Sequence, residues 1–590
     1  MSESLRAQAA ERGINVEFQD GLGRQHSVAE ATLEQLLAAL GPAGQTPTES
    51  TPAPGSCFLP AELNSGGKLW GLSVQLYGLR SARNWGMGDF GDLAALIDLA
   101  AGAGAAAVQL NPLHALYAAR PMHCSPYSPS SRLWLNPLYI HVPAVPELAS
   151  SQTAARFVEQ DRFQRRLSAL RDSPKVDYPA VAAVKMPLLK LLFGEFVDRH
   201  LGRGSERDAA FEAFREAAGP GLRDFALFEA LDRRLIEQHP EGWQTWPEPW
   251  RHPDSQACRD FLKRHPLEVL FPMYLQWLAR TQLEQAQQRA LDAGMPIGLI
   301  GDLALGVAPS GADAWRDRDL LALEVEIGAP PDAFAAEGQA WGLPPCRPQV
   351  MQERAFQPWR ELLDANMTSV GGLRIDHIIG CERQFWVPGG LSGRDGAYVA
   401  YPREALLAVL AERSREHGAM VIGEDLGTVP EGFSRHLEGA AILSTRVLRF
   451  ERYPSGLFRR PSTYPELACA CAGTHDLPPL AAWLDSAPAE PDPDDERVLL
   501  QAALADAGTE PASNSVEDRI AAVHEFLAST PCGLVLVQLE DILAEREPAN
   551  RPGSDAGQSN WQRKYSLGVD ELPVWPAWDR TAALFRLAGR

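Results

Sequence analysis

Residues 371–380, with the sequence GGLRIDHIIG, place an arginine and an aspartate at the end of an apolar strand pattern. Because alternate side chains of a strand lie on the same face, Arg374 and Asp376 are predicted to lie together, with Ile375 turned into the packing. A neighbouring guanidinium favours the ionised carboxylate, and an ionised carboxylate at a strand end can act as a nucleophile or stabilise positive charge. A buried structural ion pair explains the same stretch equally well.

Two further apolar runs end in ionisable side chains. Residues 420–430, MVIGEDLGTVP, end their run on Glu424 and Asp425, and residues 468–478, ACACAGTHDLP, end theirs on His475 and Asp476. The carboxyl ends of parallel strands open on one face of a closed barrel, so acids roughly fifty positions apart converge there. Three strand ends of this kind predict a catalytic site built from carboxylates.

The elements that must position these residues can be followed along the chain. Strand and helix patterns alternate from Leu69 onward, and eight strand candidates lie at residues 69–77, 105–112, 296–307, 373–376, 420–425, 441–450, 468–476 and 533–541. A closed barrel of alternating strands and helices requires eight strands. The predicted fold is therefore α/β, a (β/α)8 TIM barrel.

The remaining segments are arranged around this barrel. Residues 1–41 predict a small N-terminal helical unit, in which Ser27 and Glu30 have the spacing of a capping box. Residues 42–67, rich in Pro, Thr, Ser and Gly, predict a linker. The catalytic barrel then spans residues 68–590, with helical insertions at about 113–295 and 485–530. The acidic, proline-rich part of the second insertion, residues 485–515, is predicted to be a solvated surface excursion.

Two loops carry aromatic residues suited to a ligand. The prolines of SPYSPSSRLWLNP, residues 125–137, preclude a helix and leave Tyr127 on a stiff loop, where its ring offers a flat face to the C–H surface of a sugar. Packing of the loop itself is the alternative role. Residues 328–345, GAPPDAFAAEGQAWGLPP, predict an exposed loop that can move and cover a cleft. The tryptophans assigned instead to the core of the first insertion are Trp243, Trp246 and Trp250.

Composition excludes several classes of partner. A net charge of -21 argues against a nucleic-acid backbone or an anionic membrane surface. The eight cysteines lack ligand spacing, so we predict reduced thiols, no structural metal and a cytoplasmic location. The amino terminus has no signal-peptide core, and residues 94–110 suit a barrel helix and strand better than a membrane span. No nucleotide-binding loop is visible, so no cofactor is predicted; a homo-oligomer is left open.

Seven motifs together resemble those of glycoside hydrolase family 77, the 4-alpha-glucanotransferases or amylomaltases. They are LWGLSVQLYGLRSARNWGMGDFGDL, SPYSPSSRLWLN, APPDAFAAEGQAWG, LRIDH, IGEDLGTVP, THDLPPL and VQLEDI, and they extend from near residue 69 to about residue 566. The N-terminal unit is similar to that of the longer bacterial branch of the family. The resemblance implies a (β/α)8 barrel that needs no cofactor or metal and acts on maltooligosaccharides and α-1,4-glucans.

The resemblance also implies roles for individual residues. Asp376 of the RxDH motif corresponds to the nucleophile, Glu424 of GEDLG to the general acid/base, and Asp476 of THD to the transition-state stabiliser. The positions that correspond to sugar contacts are Tyr127, Asp332, Trp341, Arg374, His377, His475 and Asn550. Residues 309–310 are Pro-Ser where relatives often have an acid, so no role is assigned there. The family's Asn-x-Pro-Gly-Thr is NRPGS at residues 550–554.

The expected reaction is transfer of an α-1,4-glucan segment from a donor maltooligosaccharide to the 4-hydroxyl of an acceptor. Retention requires a nucleophilic carboxylate and an acid about 5 to 5.5 Å apart, and proceeds through a covalent glucosyl-enzyme. An alpha-amylase-type hydrolase with the same three carboxylates is one alternative. A catalytically inactive glucan-binding protein is the other, and the presence of all three acids argues against it.

Overall fold

The computed structural model describes residues 2–42, 55–332, 335–486, 495–552 and 559–590. At its centre is a closed barrel of eight parallel strands. They are β1 Leu69–Val74, β2 Ala107–Leu110, β3 Gly298–Leu303, β4 Gly372–Ile375, β5 Met420–Gly423, β6 Leu443–Val447, β7 Ala468–Cys471 and β8 Leu534–Gln538. Seven strands lie within the predicted runs and β4 begins one residue before its run, so the (β/α)8 barrel is confirmed.

The strands read as continuous apolar runs because both of their faces are buried. One set of side chains fills the barrel interior, among them Ile300, Met420, Ile422, Leu443 and Leu534. The register pairs Arg374 of β4 with Asp302 of β3, and Ile375 with Gly423 of β5. The ends of β3, β4 and β5 are therefore level, so the residues that follow them emerge on the same face.

Helices cover the outside of the barrel. They are Phe90–Gly102, Ala312–Arg316, Pro348–Glu353, Gln357–Met367, Arg403–His417, Phe433–Gly439, Leu480–Asp485, Glu496–Ala507, Val516–Ala528, Leu539–Ile542 and Pro576–Leu587. Residues 485–515 were predicted to be a solvated surface excursion. This is wrong for Glu496–Ala507, because this helix buries Leu500 and Leu504 in the large hydrophobic core around the barrel. Residues 487–494 of that segment lie outside the described residues. No helix in the described ranges has the length and apolarity needed to cross a membrane.

Between β2 and β3 the chain is dominated by three long helices, Tyr178–Arg199, Glu206–Leu235 and Pro266–Asp292. Shorter helices are Pro146–Ser150, Gln152–Glu159, Asp161–Asp172 and Gln256–Arg264, and the strands His114–Ala115 and Ser131–Leu135 form a hairpin. Trp243 and Trp246 are buried in this insertion as predicted, whereas Trp250 is half-buried.

The N-terminal unit contains helices Ser2–Glu11 and Glu30–Leu40 and, between them, a hairpin of strands Glu17–Gln19 and Gln25–Ser27. The predicted capping box is wrong, because the second helix begins after Ala29 and Ser27 lies in the hairpin, where its hydroxyl accepts a hydrogen bond from Arg6 at 2.7 Å. Of the predicted linker, residues 43–54 lie outside the described residues and Ala61–Asn64 form a short helix.

The unit packs against a four-stranded antiparallel sheet beside the barrel. The sheet consists of Ala397–Ala400, Arg383–Pro388, Val325–Ala329 and Gln339–Ala340, in that order. The backbone of Asn15 donates to Tyr398, and that of Ala400 donates to Gly13, each at 2.8 Å. Phe18 fills the contact with its ring edge-on to Phe385. The sheet therefore connects the N-terminal unit to the segments that follow β3 and β4.

Candidate active site

Arg374 is the centre of a polar network at the open end of the barrel. One guanidinium nitrogen lies 2.6 Å from Oδ1 of Asp302, and the other lies 3.0 Å from Oδ1 of Asp376 and 4.0 Å from Oε2 of Glu424. The predicted contact between Arg374 and Asp376 is confirmed. Burial lowers the pKa of Arg374, but the attraction of Asp302 and Asp376 outweighs it and the pKa stands well above the ordinary value. A permanent positive charge thus holds the three carboxylates together.

Asp376 directly follows β4, and its backbone N–H donates to Leu303 at 3.1 Å. Its side chain is 21% exposed and therefore partly accessible from outside. The next residue, His377, has a left-handed backbone with φ of 48°. Such a conformation costs a non-glycine residue roughly 1 kcal/mol and is found where the structure requires it. Here it turns the His377 N–H toward Glu424.

Glu424 follows β5 and is held by two backbone amides. The N–H of His377 donates to Oε2 at 2.9 Å, and the N–H of Leu426 donates to Oε1 at 2.8 Å. Burial raises the pKa of Glu424 to about 7, with a contribution from Asp376, although Arg374 and the two amides oppose the rise. A carboxyl group that keeps its proton near neutral pH can donate it in catalysis.

Asp476 follows β7 and is the most exposed of the three proposed catalytic acids, with 44% of its side chain accessible. Nδ2 of Asn550 donates to its Oδ1 at 2.6 Å, and Nε2 of His475 lies 3.4 Å from its Oδ2. Partial loss of contact with water acts to raise the pKa of Asp476, but His475 and Asn550 outweigh this effect and lower the pKa to about 2. The same ion pair raises the pKa of His475 against the effect of burial. Asp476 is therefore an anion at neutral pH.

Tyr127 connects this acid to the Arg374 network. Its hydroxyl donates to Oδ2 of Asp302 at 2.7 Å and lies 3.2 Å from Nδ1 of His475. Its ring stacks on the His475 ring, with centroids 4.6 Å apart, and lies 5.3 Å from the ring of Trp561. Tyr127 thus packs within the protein and takes part in the polar network, while its stacking on a sugar stays a prediction.

Two members of this network were missed by sequence reasoning. Asp302 is almost completely buried and accepts hydrogen bonds from both Arg374 and Tyr127. Its signal was an acid inside the otherwise apolar run GLIGDLALG, and its register opposite Arg374 makes the contact. Trp561 lies after the last predicted strand, and its contacts with Tyr127 and His475 arise from tertiary packing alone.

The segment predicted as a covering loop, residues 328–345, is partly sheet. Gly328 pairs with Ala340, and the backbone N–H of Trp341 donates to the carbonyl of Ile327 at 2.9 Å. Residues 333–334 lie outside the described residues. This pairing brings the Trp341 ring edge-to-face with His377, with centroids 5.7 Å apart. Asp332 instead lies against the N-terminal unit, where its carboxylate accepts a hydrogen bond from the Ala335 N–H at 2.6 Å.

The described residues contain no group of three or more His, Cys, Asp or Glu side chains arranged to hold a metal ion. All eight cysteines are free thiols.

Comparison with known proteins gives consistent matches. A family model described as 4-alpha-glucanotransferase matches residues 74–569. A 4-alpha-glucanotransferase of Haemophilus influenzae is 37% identical over 542 residues, which are 87% of this chain and 77% of the relative. One from Mycobacterium tuberculosis is 37% identical over 549 residues, 88% of this chain and 73% of the relative.

Solved structures agree with these relatives. The crystal structure of amylomaltase from Corynebacterium glutamicum has a TM-score of 0.84 and 27% identity, and the match covers 99% of this chain and 100% of that one. Amylomaltase from Streptococcus agalactiae in complex with acarbose has the same fold, with a TM-score of 0.75 at 20% identity over 89% of this chain and 99% of that one.

Proposed function

Since the chain belongs to the 4-alpha-glucanotransferase family and is a transferase acting on α-1,4-glucans, we propose that it works by a retaining double displacement. In this proposal Asp376 is the nucleophile, Glu424 the general acid/base and Asp476 the stabiliser of the transition state. The supporting observation is that Asp376 and Glu424 both lie within 4.0 Å of one guanidinium nitrogen of Arg374. A nucleophile and an acid that act on one sugar must lie near each other, and contact with the same nitrogen keeps these two carboxyl groups close.

In the first step Asp376 attacks the anomeric carbon of the donor. The bond from this carbon to O4 of the departing glucan breaks as a bond to the Asp376 carboxylate forms, and Glu424 passes its proton to the departing oxygen. The pKa of about 7 supports this role, because a substantial fraction of Glu424 is protonated near neutral pH. The anionic Asp476 would stabilise the positive charge that develops on the sugar ring.

In the second step Glu424 acts as a base. It accepts the proton of the acceptor's 4-hydroxyl, whose oxygen attacks the anomeric carbon and displaces Asp376 as a free carboxylate. Arg374 stabilises the released carboxylate at 3.0 Å. Two displacements at one carbon retain its configuration, and the enzyme returns to its starting protonation state.

Seven residues are proposed to contact the glucan. Tyr127 and His475, whose stacked rings border the network, are assigned to the reacting sugar, and Trp341 beside His377 is assigned to the acceptor side. The remaining proposed contacts are Asp332, Arg374, His377 and Asn550. All come from one chain, so the proposed site does not require a second copy. The eight free thiols support a cytoplasmic location within the same proposal.

The hydrolase alternative is not favoured, because both curated relatives compared above are named as transferases. Transfer exceeds hydrolysis only if the acceptor is positioned better than water. Effective molarities on the order of 10⁵ M for well-oriented partners can achieve this. We assign the shielding of the glucosyl-enzyme to residues 328–345, whose Trp341 lies beside His377. Stiffening this segment should raise glucose release without transfer and so lower the ratio of transfer to hydrolysis.

Incubation with maltotriose tests the proposed function. We expect free glucose together with a ladder of glucans longer than maltotriose, resolved by chromatography. Products that are only shorter than maltotriose would identify a hydrolase. Binding without conversion would identify an inactive glucan-binding protein.

A further inference from the structure

The hairpin of the N-terminal unit contacts the segment that carries Trp341. The Gly21 N–H, at the tip of this hairpin, donates to the carbonyl of Pro331 at 2.9 Å. A Cβ on Gly21 would lie 2.8 Å from the Cβ of Asp332 and 3.3 Å from its Cα. Real Cβ atoms do not approach this closely, so any side chain at Gly21 must displace the segment. The contact is thus specific to glycine at this position.

The tip is held rigidly by Asp20. This buried carboxylate accepts hydrogen bonds from the N–H groups of Leu22 and Arg24, each at 2.9 Å, and lies 2.7 Å from Nε2 of His26. The Asp20 N–H also donates to the carbonyl of Arg24 at 3.0 Å. A turn closed by this many bonds presents Gly21 at a fixed place.

The same hairpin is linked through aromatic packing to the loop that follows Glu424. Phe18 contacts the ring of Tyr398, at a centroid distance of 5.8 Å, and the guanidinium of Arg383 lies 3.9 Å from the centroid of that ring. Arg383 donates to the carbonyl of Thr428 at 3.1 Å. Thr428 lies two residues after Leu426, whose backbone N–H donates to the carboxylate of Glu424. Both segments that border Asp376 and Glu424 therefore have a contact path to the N-terminal unit.

We propose that the N-terminal unit, residues 2–40, positions the acceptor side of the site and so sets how the glucosyl-enzyme divides between acceptor and water. This inference rests on the proposed function. It assigns Gly21 and Phe18 as positioning residues, because they act through Trp341 and the loop after Glu424 and not on the substrate itself. A displacement of about 1 Å in a positioning group can change a rate by about a hundredfold, so smaller shifts suffice for a measurable effect.

The test compares Gly21→Ala with Gly194→Ala in the full chain. Gly194 lies within the helix Tyr178–Arg199, and a Cβ there would meet no atom within 4 Å. α-Maltotriosyl fluoride is the donor and glucose the acceptor. The fluoride burst measures formation of the glycosyl-enzyme, and the products measure its division between transfer and hydrolysis.

For Gly21→Ala we expect an unchanged fluoride burst, a ratio of transfer to hydrolysis lowered about tenfold, and a raised KM for glucose. Gly194→Ala should match the wild type in all three. A folded Gly21→Ala enzyme with wild-type partition and acceptor KM would overturn the inference. If Gly21→Ala fails to fold, the same three measurements are made on Phe18→Leu, and the same outcomes support or overturn the inference. This substitution keeps an apolar side chain but removes the ring contact.

Failure of the proposed function gives a different result. In that case the wild type itself makes no ladder from maltotriose. If the wild type catalyses transfer, and Gly21→Ala and Phe18→Leu have the same ratio of transfer to hydrolysis as the wild type, only the positioning role is wrong.

Discussion

The substitution Glu424→Gln separates proton transfer from the other contributions of this residue. Both carboxylate oxygens accept a backbone N–H, at 2.9 Å from His377 and 2.8 Å from Leu426. The amide of glutamine can accept only one of these two bonds, so we expect a stability loss of about 1–3 kcal/mol, measured by urea denaturation. General acid catalysis contributes a factor of about 10²–10⁴, which is the expected loss of activity on maltotriose.

The assay compares two donors that differ in their need for a proton. The departing O4 of maltotriose must be protonated, whereas fluoride leaves α-maltotriosyl fluoride without help. Glu424→Gln should therefore form the glycosyl-enzyme from the fluoride at close to the wild-type rate and then stall, because its second step lacks a base. Added azide, which needs no base, should restore turnover and give the α-glycosyl azide. Equal losses on both donors would mean that Glu424 contributes position and not a proton.

The pH dependence provides a second measure of the same group. The activity of the wild type should fall as pH rises above about 7, because Glu424 must be protonated to act as an acid. The raised pKa also means that the folded state holds a proton that the unfolded state releases, so stability should decline between about pH 4.5 and 7. The stability of the Glu424→Gln variant should not show this decline with pH. If the residual activity of the variant still fell above about pH 7 as that of the wild type does, this fall would belong to another residue.

Three further predictions concern neighbouring residues. Arg374→Gln leaves the buried Asp302 without its positively charged partner and should lower the free energy of unfolding by about 3–5 kcal/mol in urea denaturation, more than Arg374→Lys. The lowered pKa of Asp476 stabilises the fold above the ordinary value near 3.8, and this stabilisation is lost as pH falls toward 2. Asn550→Ala removes one group that lowers the pKa, so in thermal melts the acid loss should be smaller and should end at a higher pH. Trp341→Ala should raise the acceptor KM about tenfold in transfer kinetics while leaving the fluoride burst unchanged.

The barrel could be predicted from the sequence because its strands are buried on both faces. Such strands appear as apolar runs that end at Gly, Pro or charged residues, and all eight were found in this way, with ends misplaced by a few residues. The convergence of Arg374 with Asp376 and Glu424 follows from the same geometry. Local patterns and one rule about parallel strands are sufficient for this part of the site.

What the sequence did not predict depends on contacts between distant segments. The strands Glu17–Gln19 and Gln25–Ser27 are short and polar, and the hairpin is stabilised by Phe18 packing on Phe385. Ser27 fits a capping box by spacing, but its place in this hairpin prevents that role. Asp302 was read as part of a strand, because its partner Arg374 becomes visible only when β3 and β4 are placed in register.

The shared guanidinium gives Glu424 a way to change from acid to base during the proposed reaction. The negative charge of Asp376 helps to raise the pKa of Glu424, while Arg374 lowers it. When Asp376 becomes an ester in the glucosyl-enzyme its charge disappears, but that of Arg374 remains. The pKa of Glu424 must then fall, so the residue that began as an acid is ionised when the acceptor arrives. Because Asp302 holds the other guanidinium nitrogen at 2.6 Å, Arg374 keeps its place while its contact with Asp376 changes.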